Sequence, residues 1–239
     1  MAPFIRGYAP TAVPADGCFQ LGALVADAAG LHDVLGGDER AVLIGNDWGA
    51  ETACGAGAFA PDRWRRVVTL AVPPLALDTK IFSDYDQLKR FFYLFFLKTP
   101  FAEPVLAADD MAFLDRLWQD WSPGYDAGED LHNVKQCLRD ERNLAAAIGY
   151  YRSEEPGVYP SVADHPYAAE QAALASAPPQ PTLYLHRSRD GCIDLALVKD
   201  AERHLAPGSR MEVLEDAGHF LQVEKPAAVN ARMLAWVGA

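Results

Sequence analysis

Four short, continuously apolar runs, separated by helical stretches, constrain the fold of this chain more than any other feature. The runs span residues 41–45, 66–72, 182–186 and 211–215, and each has the length of a strand. Helical patterns cover about 20–36, 49–60, 194–205 and 226–237. Continuous rather than alternating apolar runs are typical of a parallel sheet covered on both faces. The alternation of strand and helix therefore predicts an α/β fold.

One long segment interrupts this alternation. Residues 76–175 are rich in aromatic and helix-favouring residues, contain no convincing strand, and end at a proline-rich stretch, 177–181. We expect 1–75 to form the N-terminal part of an α/β core, 76–175 a helical cap, and 176–239 the C-terminal part of the core. A cap at this point would lie over the carboxyl ends of the strands, where open α/β sheets place their sites.

Composition and charge exclude several classes of protein. The formal net charge is −12, so nucleic acid and anionic membranes are not expected partners. The longest apolar run, 91–97, has seven residues, against about 20 needed to cross a bilayer. Four widely spaced cysteines form no CxxC pair, which argues against a zinc ribbon or a disulfide scaffold. We expect a cytoplasmic protein without a metal site.

The segment Gly45-Asn46-Asp47-Trp48-Gly49 follows the first apolar run and precedes a helix. It has the form of a nucleophile elbow, G-x-Nu-x-G, in which a sharp turn raises one side chain above the sheet. Side chains at both glycines are expected to collide in so tight a turn. The nucleophile position holds Asp47, a carboxylate that can displace a leaving group at saturated carbon and form an ester. The alternative is a glycine-rich turn with a capping aspartate.

Two further residues follow the third and fourth strands. Asp190 lies 143 residues after Asp47, and His219 lies 29 residues after Asp190. Each alone is consistent with a turn or capping residue. Together they follow the order nucleophile, acid, histidine, with acid and histidine each on a loop after a strand. Asp194 is the competing acid, but it stands where a helix N-cap is expected, so Asp190 is preferred.

These motifs, together with Ala217-Gly218-His219-Phe220-Leu221, resemble the epoxide hydrolases of the α/β-hydrolase superfamily, which are related to the haloalkane dehalogenases. The resemblance runs from about residue 6 to the C-terminus. It implies an α/β-hydrolase fold, a mostly parallel sheet flanked by helices with a helical cap. It also implies Asp47, Asp190 and His219 as a catalytic triad that needs no metal or organic cofactor.

The resemblance extends to the predicted cap. Epoxide hydrolases protonate the opening ring with two cap tyrosines, and Tyr93 and Tyr151 match that pattern. Tyr150 lies about 100° from Tyr151 on a helix, so both cannot face one site. An aromatic stretch such as 91–96 is otherwise simply core. The substrate-binding side chains are expected to include four aromatic residues: Trp48, Phe92, Phe96 and Phe220.

The implied reaction opens a small apolar epoxide to a vicinal diol. Asp47 attacks an epoxide carbon, and water activated by His219 then hydrolyses the ester. The backbone N–H of Trp48 is expected to donate to the oxyanion. The alternative within the same branch is a haloalkane dehalogenase, in which Trp48 and a second donor from Trp118, Trp121 or the missing front of the fold would hold halide. A serine-type esterase is disfavoured because position 47 is aspartate.

The sequence departs from the family at its beginning. No His-Gly pair occurs, so the family's His-Gly-x-Pro turn, which supplies a second oxyanion donor, has no counterpart here. The opening residues resemble a segment well after that turn, which predicts an N-terminally shortened chain. The strand at 41–45 is then expected to have an unpaired edge, which invites pairing with a second chain as a homodimer. A third alternative is a catalytically impaired hydrolase fold.

Overall fold

The computed structural model describes residues 1–153 and 166–238, and four parallel strands form its sheet. The strands are β1 (Ala41–Asn46), β2 (Trp64–Leu70), β3 (Thr182–Arg187) and β4 (Arg210–Leu214). They pair in the order β1-β2-β3-β4, every pair parallel. The predicted α/β fold with a parallel sheet is confirmed.

Helices surround the sheet and fill the long connection between β2 and β3. In chain order they are α1 (Leu21–Val34), α2 (Trp48–Phe59), α3 (Asp78–Phe82), α4 (Tyr85–Arg90), α5 (Phe92–Phe96), α6 (Ala102–Ala107), α7 (Ala112–Trp121), α8 (Gly128–Leu138), α9 (Glu141–Ser153), α10 (Ala168–Ala173), α11 (Leu195–Val198), α12 (Leu221–Glu224) and α13 (Pro226–Gly238). Short 3-10 turns lie at 61–63, 75–77, 108–111 and 201–204.

Two boundaries differ from the sequence expectation for local backbone reasons. Strand β2 ends at Leu70 rather than residue 72, because Ala71 adopts a left-handed conformation with φ of 78° and prolines follow. The helix expected over 194–205 is divided into α11 and a 3-10 turn. The other strands and helices lie within two residues of their predicted bounds.

Strand β3 runs through the centre of the molecule, and all six of its residues are buried. Leu183 and Leu185 pack with residues of α12 and α13. Tyr184 belongs instead to a core cluster shared with the helices between β2 and β3. The sheet is thus covered on both faces, which explains why its strands lack alternating polarity.

The connection predicted as a cap consists of helices joined by turns and loops in the part that the structure describes, with no strand between 76 and 153 or between 166 and 175. Residues 154–165 of that range lie outside the described residues. The apolar cluster of these helices includes Cys192 and Ile193, which follow β3. The helices therefore pack directly on the loops at the carboxyl end of the sheet, and the division at residues 76 and 175 stays a prediction.

Strand β1 lies at an edge of the sheet. It pairs with β2, and no strand among residues 1–153 and 166–238 pairs with its other side. Ile44 in this strand is 51% exposed although its neighbours in sequence are apolar. The expected unpaired edge is thus present in the described part of the chain.

Candidate active site

The turn between β1 and α2 holds Asp47 in a strained conformation. Asp47 has φ of 52°, in the left-handed region, and its Oδ1 accepts from the backbone N–H of Trp48 at 2.9 Å. A Cβ at Gly45 would lie 1.8 Å from the carbonyl oxygen of Gly49, so only glycine fits at position 45. A Cβ at Gly49 would meet nothing within 4 Å, so the collision expected there was wrong.

A histidine and a second carboxylate lie in line with Asp47. His219, on the loop after β4, places Nε2 3.4 Å from Asp47 Oδ2 and Nδ1 3.4 Å from Asp190 Oδ1. The backbone N–H groups of Cys192 and Ile193 donate to Asp190 at 2.7 and 3.1 Å. Asp190 and His219 are buried, whereas the Asp47 side chain is 38% exposed. The outermost of the three groups is therefore the one that a small molecule can reach.

The competing acid has another role. Asp194 Oδ1 caps α11 by accepting from the N–H of Ala196 at 2.8 Å, and Oδ2 pairs with Arg90 at 2.8 Å. Asp194 therefore stabilises a helix N-terminus.

The charges of this group shift the pKa values of its members. Burial raises the pKa of Asp47, but the hydrogen bond and charge of His219 outweigh burial and hold it below its usual range. Burial also opposes ionisation of Asp190, yet the charges of Arg187 and His219 hold its pKa far below the usual range. Burial lowers the pKa of His219, but Cys192 and Asp190 raise it well above the usual value. Both carboxyl groups are thus ionised at neutral pH.

The end of α7 holds the acid loop and the histidine loop together. The carbonyl oxygen of Trp121 accepts from the N–H groups of Gly191 and His219, both at 3.0 Å. A Cβ at Gly191 would lie 1.7 Å from the carbonyl oxygen of Asp120. Glycine next to the acid is therefore required by the close approach of this helix.

Glu224, at the end of α12, fixes the other side of the histidine loop. Its carboxylate accepts from the N–H of Gly218 at 2.7 Å, the N–H of Phe220 at 3.0 Å and the hydroxyl of Ser122 at 2.7 Å. The two N–H groups flank His219. The sequence analysis missed this role, because nothing in the chain marks a glutamate that accepts from backbone groups.

Two tyrosines lie over Asp47. The rings of Tyr93 and Tyr151 are 5.9 Å apart, and Tyr151 lies edge-on to Trp48 at 5.2 Å. The Tyr93 hydroxyl is 3.3 Å from the Cys192 sulfur. Burial raises the pKa of both phenols well above the usual value, so each remains a proton donor. The preceding residue, Tyr150, is fully buried and donates to the Arg6 carbonyl at 2.7 Å.

Asp47 opens into a cavity of about 120 Å³. Its lining is mostly apolar, with three carboxyl groups and two phenols besides: Asp47, Trp48, Glu51, Val72, Pro73, Asp78, Ile81, Phe82, Phe91, Tyr93, Leu94, Tyr151, Cys192 and Ile193. Burial raises the pKa of Asp78 to about 6. A larger apolar cavity of about 340 Å³ shares Glu51, Val72 and Pro73 with this one, but contains neither Asp47 nor His219. The smaller cavity is the candidate site, because reactive groups line it.

Three of the four aromatic residues expected to bind substrate do not line this cavity. Phe92 is 45% exposed, and Phe96 and Phe220 stack on aromatic neighbours elsewhere. Helix α5 turns Tyr93 inward, so Phe92, one position earlier, lies about 100° away around the helix. Phe96 lies one turn further along and stacks on Phe113. Phe91, the residue before α5, lines the cavity in their place. The assignment of Phe92, Phe96 and Phe220 as substrate-binding residues is therefore corrected.

Two buried residues beside Asp190 were also missed. Arg187, the last residue of β3, is fully buried and forms an ion pair with Asp190. His186 lies with Nε2 3.9 Å from Asp190 and Nδ1 2.6 Å from the Tyr184 hydroxyl. Burial, with the neighbouring Arg187 charge, lowers the pKa of His186 to about 4. An arginine at the end of an apolar strand was the available signal, because a buried charge requires a partner.

No group of three or more His, Cys, Asp or Glu side chains within 1–153 and 166–238 is arranged to hold a metal ion. No helix in the same part of the chain is long and apolar enough to span a bilayer.

Comparison with known proteins decides the family. The sequence profile of the α/β hydrolase fold family matches residues 5–226. The chain belongs to that family. Similar proteins include AB hydrolase superfamily protein YfhM of Bacillus subtilis, 25% identical over 84% of this chain and 66% of the relative. Human epoxide hydrolase 4 is 26% identical over 95% of this α/β hydrolase and 61% of the relative.

Other relatives agree in fold. Epoxide hydrolase A of Mycobacterium tuberculosis is 25% identical over 98% of the chain and 80% of the relative. The crystal structure of Bacillus megaterium epoxide hydrolase with an inhibitor superposes with a TM-score of 0.76 at 17% identity, covering 98% of this chain and 82% of the other. This α/β hydrolase spans about half to two thirds of the length of the first curated relatives it matches.

Proposed function

We propose that this α/β hydrolase opens small apolar epoxides to vicinal diols. One observation carries the proposal: the Asp47 carboxylate, whose Oδ2 lies 3.4 Å from His219 Nε2, lines a cavity that two phenols also line. Several relatives bear the name epoxide hydrolase, which supports the same reaction. The scheme needs no metal or organic cofactor.

The first step forms an ester on Asp47. Oδ2 attacks one epoxide carbon, and the bond between that carbon and the ring oxygen breaks. The ring oxygen takes the proton of Tyr151 or Tyr93, leaving a phenolate and a hydroxyalkyl ester. Oδ1 keeps its hydrogen bond from the Trp48 N–H, 2.9 Å in the free protein, and becomes the ester carbonyl oxygen.

The second step hydrolyses that ester. His219 takes a proton from water at Nε2, and the hydroxide attacks the carbonyl carbon of Asp47. The Trp48 N–H stabilises the oxyanion that forms. Collapse of the tetrahedral intermediate breaks the bond from the carbonyl carbon to the alkyl oxygen and releases the diol. Of the two protons of water, one goes to the departing oxygen and the other restores the phenol, so the enzyme returns to its starting state.

The cavity favours an epoxide over a haloalkane. A leaving halide is held by two N–H donors, and the dehalogenase alternative assigns them to Trp48 and to one of Trp118, Trp121 or the family's N-terminal strands. Trp48 lines the cavity, but neither Trp118 nor Trp121 does among the described residues. Two phenols line the cavity, and a phenol can donate its proton to an epoxide oxygen that gains negative charge as the ring opens.

A trapping experiment tests the scheme. His219→Gln removes the base but not the nucleophile, so incubation with styrene oxide should add the mass of one epoxide at Asp47. Asp47→Asn serves as the matched control and should gain no mass. Peptide mapping by mass spectrometry locates the adduct. An unmodified His219→Gln protein, or an adduct elsewhere, contradicts the scheme.

A substrate panel separates the two reactions of this branch. The wild-type protein should release diol from styrene oxide and no halide from 1-bromobutane. Halide release without diol formation would instead support the dehalogenase alternative. Folded protein with neither activity would support an impaired hydrolase.

A further inference from the structure

The proposed reaction assigns no role to Arg187, although this residue lies next to the candidate triad. It is fully buried at the end of β3, and its Nε donates to the Gly218 carbonyl at 2.9 Å. Its Nη2 pairs with Asp190 and also lies 2.6 Å from Nδ1 of His219. One guanidinium nitrogen thus contacts both the acid and the histidine of the candidate triad.

The contact with His219 constrains the position of the imidazole proton. A guanidinium only donates hydrogen bonds, so when the imidazole is neutral its nitrogen 2.6 Å away must offer a lone pair. When Nδ1 accepts, the proton of the neutral imidazole is on Nε2, facing Asp47 Oδ2 at 3.4 Å. Asp190 Oδ1 also lies 3.4 Å from Nδ1, farther than the guanidinium. Arg187 and Asp190 therefore compete for the same nitrogen.

Hydrolysis of an ester requires the opposite tautomer. A histidine acting as a general base accepts at Nε2, while its Nδ1–H donates to the triad acid. Ester formation needs the ionised carboxylate of Asp47 and a phenol proton, but no particular tautomer of His219. The contact made by Arg187 therefore acts against the second step and leaves the first step unaffected.

We propose that Arg187 is a positioning residue that holds the proton of neutral His219 on Nε2 and thereby slows hydrolysis of the Asp47 ester. This inference rests on the proposed function, because it concerns the second step of that reaction. Once Asp47 is esterified, its negative charge no longer favours an imidazolium. The proton of neutral His219 must then move from Nε2 to Nδ1. This requires the hydrogen bond from Arg187 to Nδ1 to break, so that Nδ1–H can donate to Asp190.

The charges around His219 set the direction of its pH dependence. Ionisable groups on several elements surround the imidazole. The elbow carries Asp47, and β3 with the loop after it carries His186, Arg187, Asp190 and Cys192. Helices α5, α9 and α12 carry Tyr93, Tyr151 and Glu224. The carboxylates favour the imidazolium, and the Arg187 cation disfavours it. Removing Arg187 should therefore raise the pH at which His219 loses its proton.

Nitrogen NMR of the imidazole tests the tautomer without any need for turnover. Protein labelled with ¹⁵N-histidine is examined above the titration of His219, and His219→Gln identifies its signals. The wild-type protein should carry the proton on Nε2, and Arg187→Met should carry it on Nδ1. Arg189→Met, which alters an exposed residue of the same loop, should match the wild type. A wild-type Nδ1–H overturns the proposal, whether or not Arg187→Met folds.

Kinetics test the consequence. In single-turnover reactions with styrene oxide at a pH above the titration of His219, Arg187→Met should hydrolyse the ester at least about tenfold faster, with ester formation within about twofold of the wild type. The acid limb of its pH–rate profile should move to higher pH, and Arg187→Lys should show a smaller move in the same direction. Unchanged hydrolysis with a changed tautomer overturns the kinetic role. The expected tautomers in a protein that does not open epoxides would refute the proposed function and leave the tautomer assignment standing.

Discussion

Gly191→Ala tests whether the end of α7 sets the position of the proposed triad acid, Asp190. The added Cβ would lie 1.7 Å from the carbonyl oxygen of Asp120, whereas real Cβ atoms essentially never approach closer than 3.0 Å. The loop or the helix must therefore move by at least about 1.3 Å. Gly191 directly follows Asp190, and its N–H donates to the Trp121 carbonyl at 3.0 Å. The displacement thus reaches the acid and breaks or lengthens this bond.

The expected losses follow from that displacement. A misplacement of about 1 Å at a catalytic group costs about 10²-fold in rate, so kcat should fall by about that factor. Overpacking of this kind also costs about 1–3 kcal/mol of stability. For a domain of this size each kcal/mol corresponds to about 2–4 °C in Tm. Ester hydrolysis should slow more than ester formation, because Asp190 acts through His219.

The assay combines single-turnover kinetics with a thermal melt. Gly30→Ala is the matched control, because its Cβ would meet nothing within 4 Å on the exposed side of α1. The control should keep wild-type kinetics and gain about 0.5–1 kcal/mol from the better helix former. A Gly191→Ala protein with wild-type kcat and Tm would refute the packing of α7 against the acid loop.

Two further predictions concern single side chains near the cavity. Asp78 has a folded-state pKa raised to about 6, so the folded protein is destabilised progressively as pH rises from about 4 past 6. Asp78→Asn should therefore melt like the wild type at pH 4 and at higher temperature at pH 8. Tyr151→Phe should lower kcat with little change in Tm, because its phenol lines the cavity. Tyr150→Phe should instead cost about 0.5–1.5 kcal/mol of stability and retain turnover, since its phenol donates to a buried carbonyl; the opposite pattern for the two tyrosines would refute their assignment.

The strands were predictable because burial on both faces of a parallel sheet leaves a continuous apolar run in the sequence. Thr182–Arg187 is the clearest case, since every residue in it is buried. The end of β2 was less predictable, because Val72 is as apolar as the strand and only the backbone of Ala71 ends it. Asp47, Asp190 and His219 were predicted from a motif and from their order in the sequence. Motif and order give positions along the chain but not the distances between the side chains.

What the sequence did not reveal depends on contacts between distant segments. Phe91, Phe92 and Phe96 are the same residue type in one apolar run. Only the orientation of this segment in the folded protein determines which ring faces the cavity. The carbonyl of Trp121 holds two loops, but a backbone carbonyl leaves no mark in the sequence. Glu224 accepts from the N–H groups on both sides of His219, and this role also has no local signature.

The geometry of the elbow at Asp47 does not depend on the open edge of β1. Asp47 is held from the β2 side, where its N–H donates to the Leu70 carbonyl at 3.2 Å, and from within by the contact between Gly45 and Gly49. Neither restraint involves the far edge of β1. A strand added at that edge, from this chain or another, would cover exposed apolar surface such as Ile44 without being needed to orient Asp47 toward His219. An unpaired edge therefore predicts self-association more directly than it predicts loss of the proposed first step, which depends on the elbow and on the two cavity tyrosines.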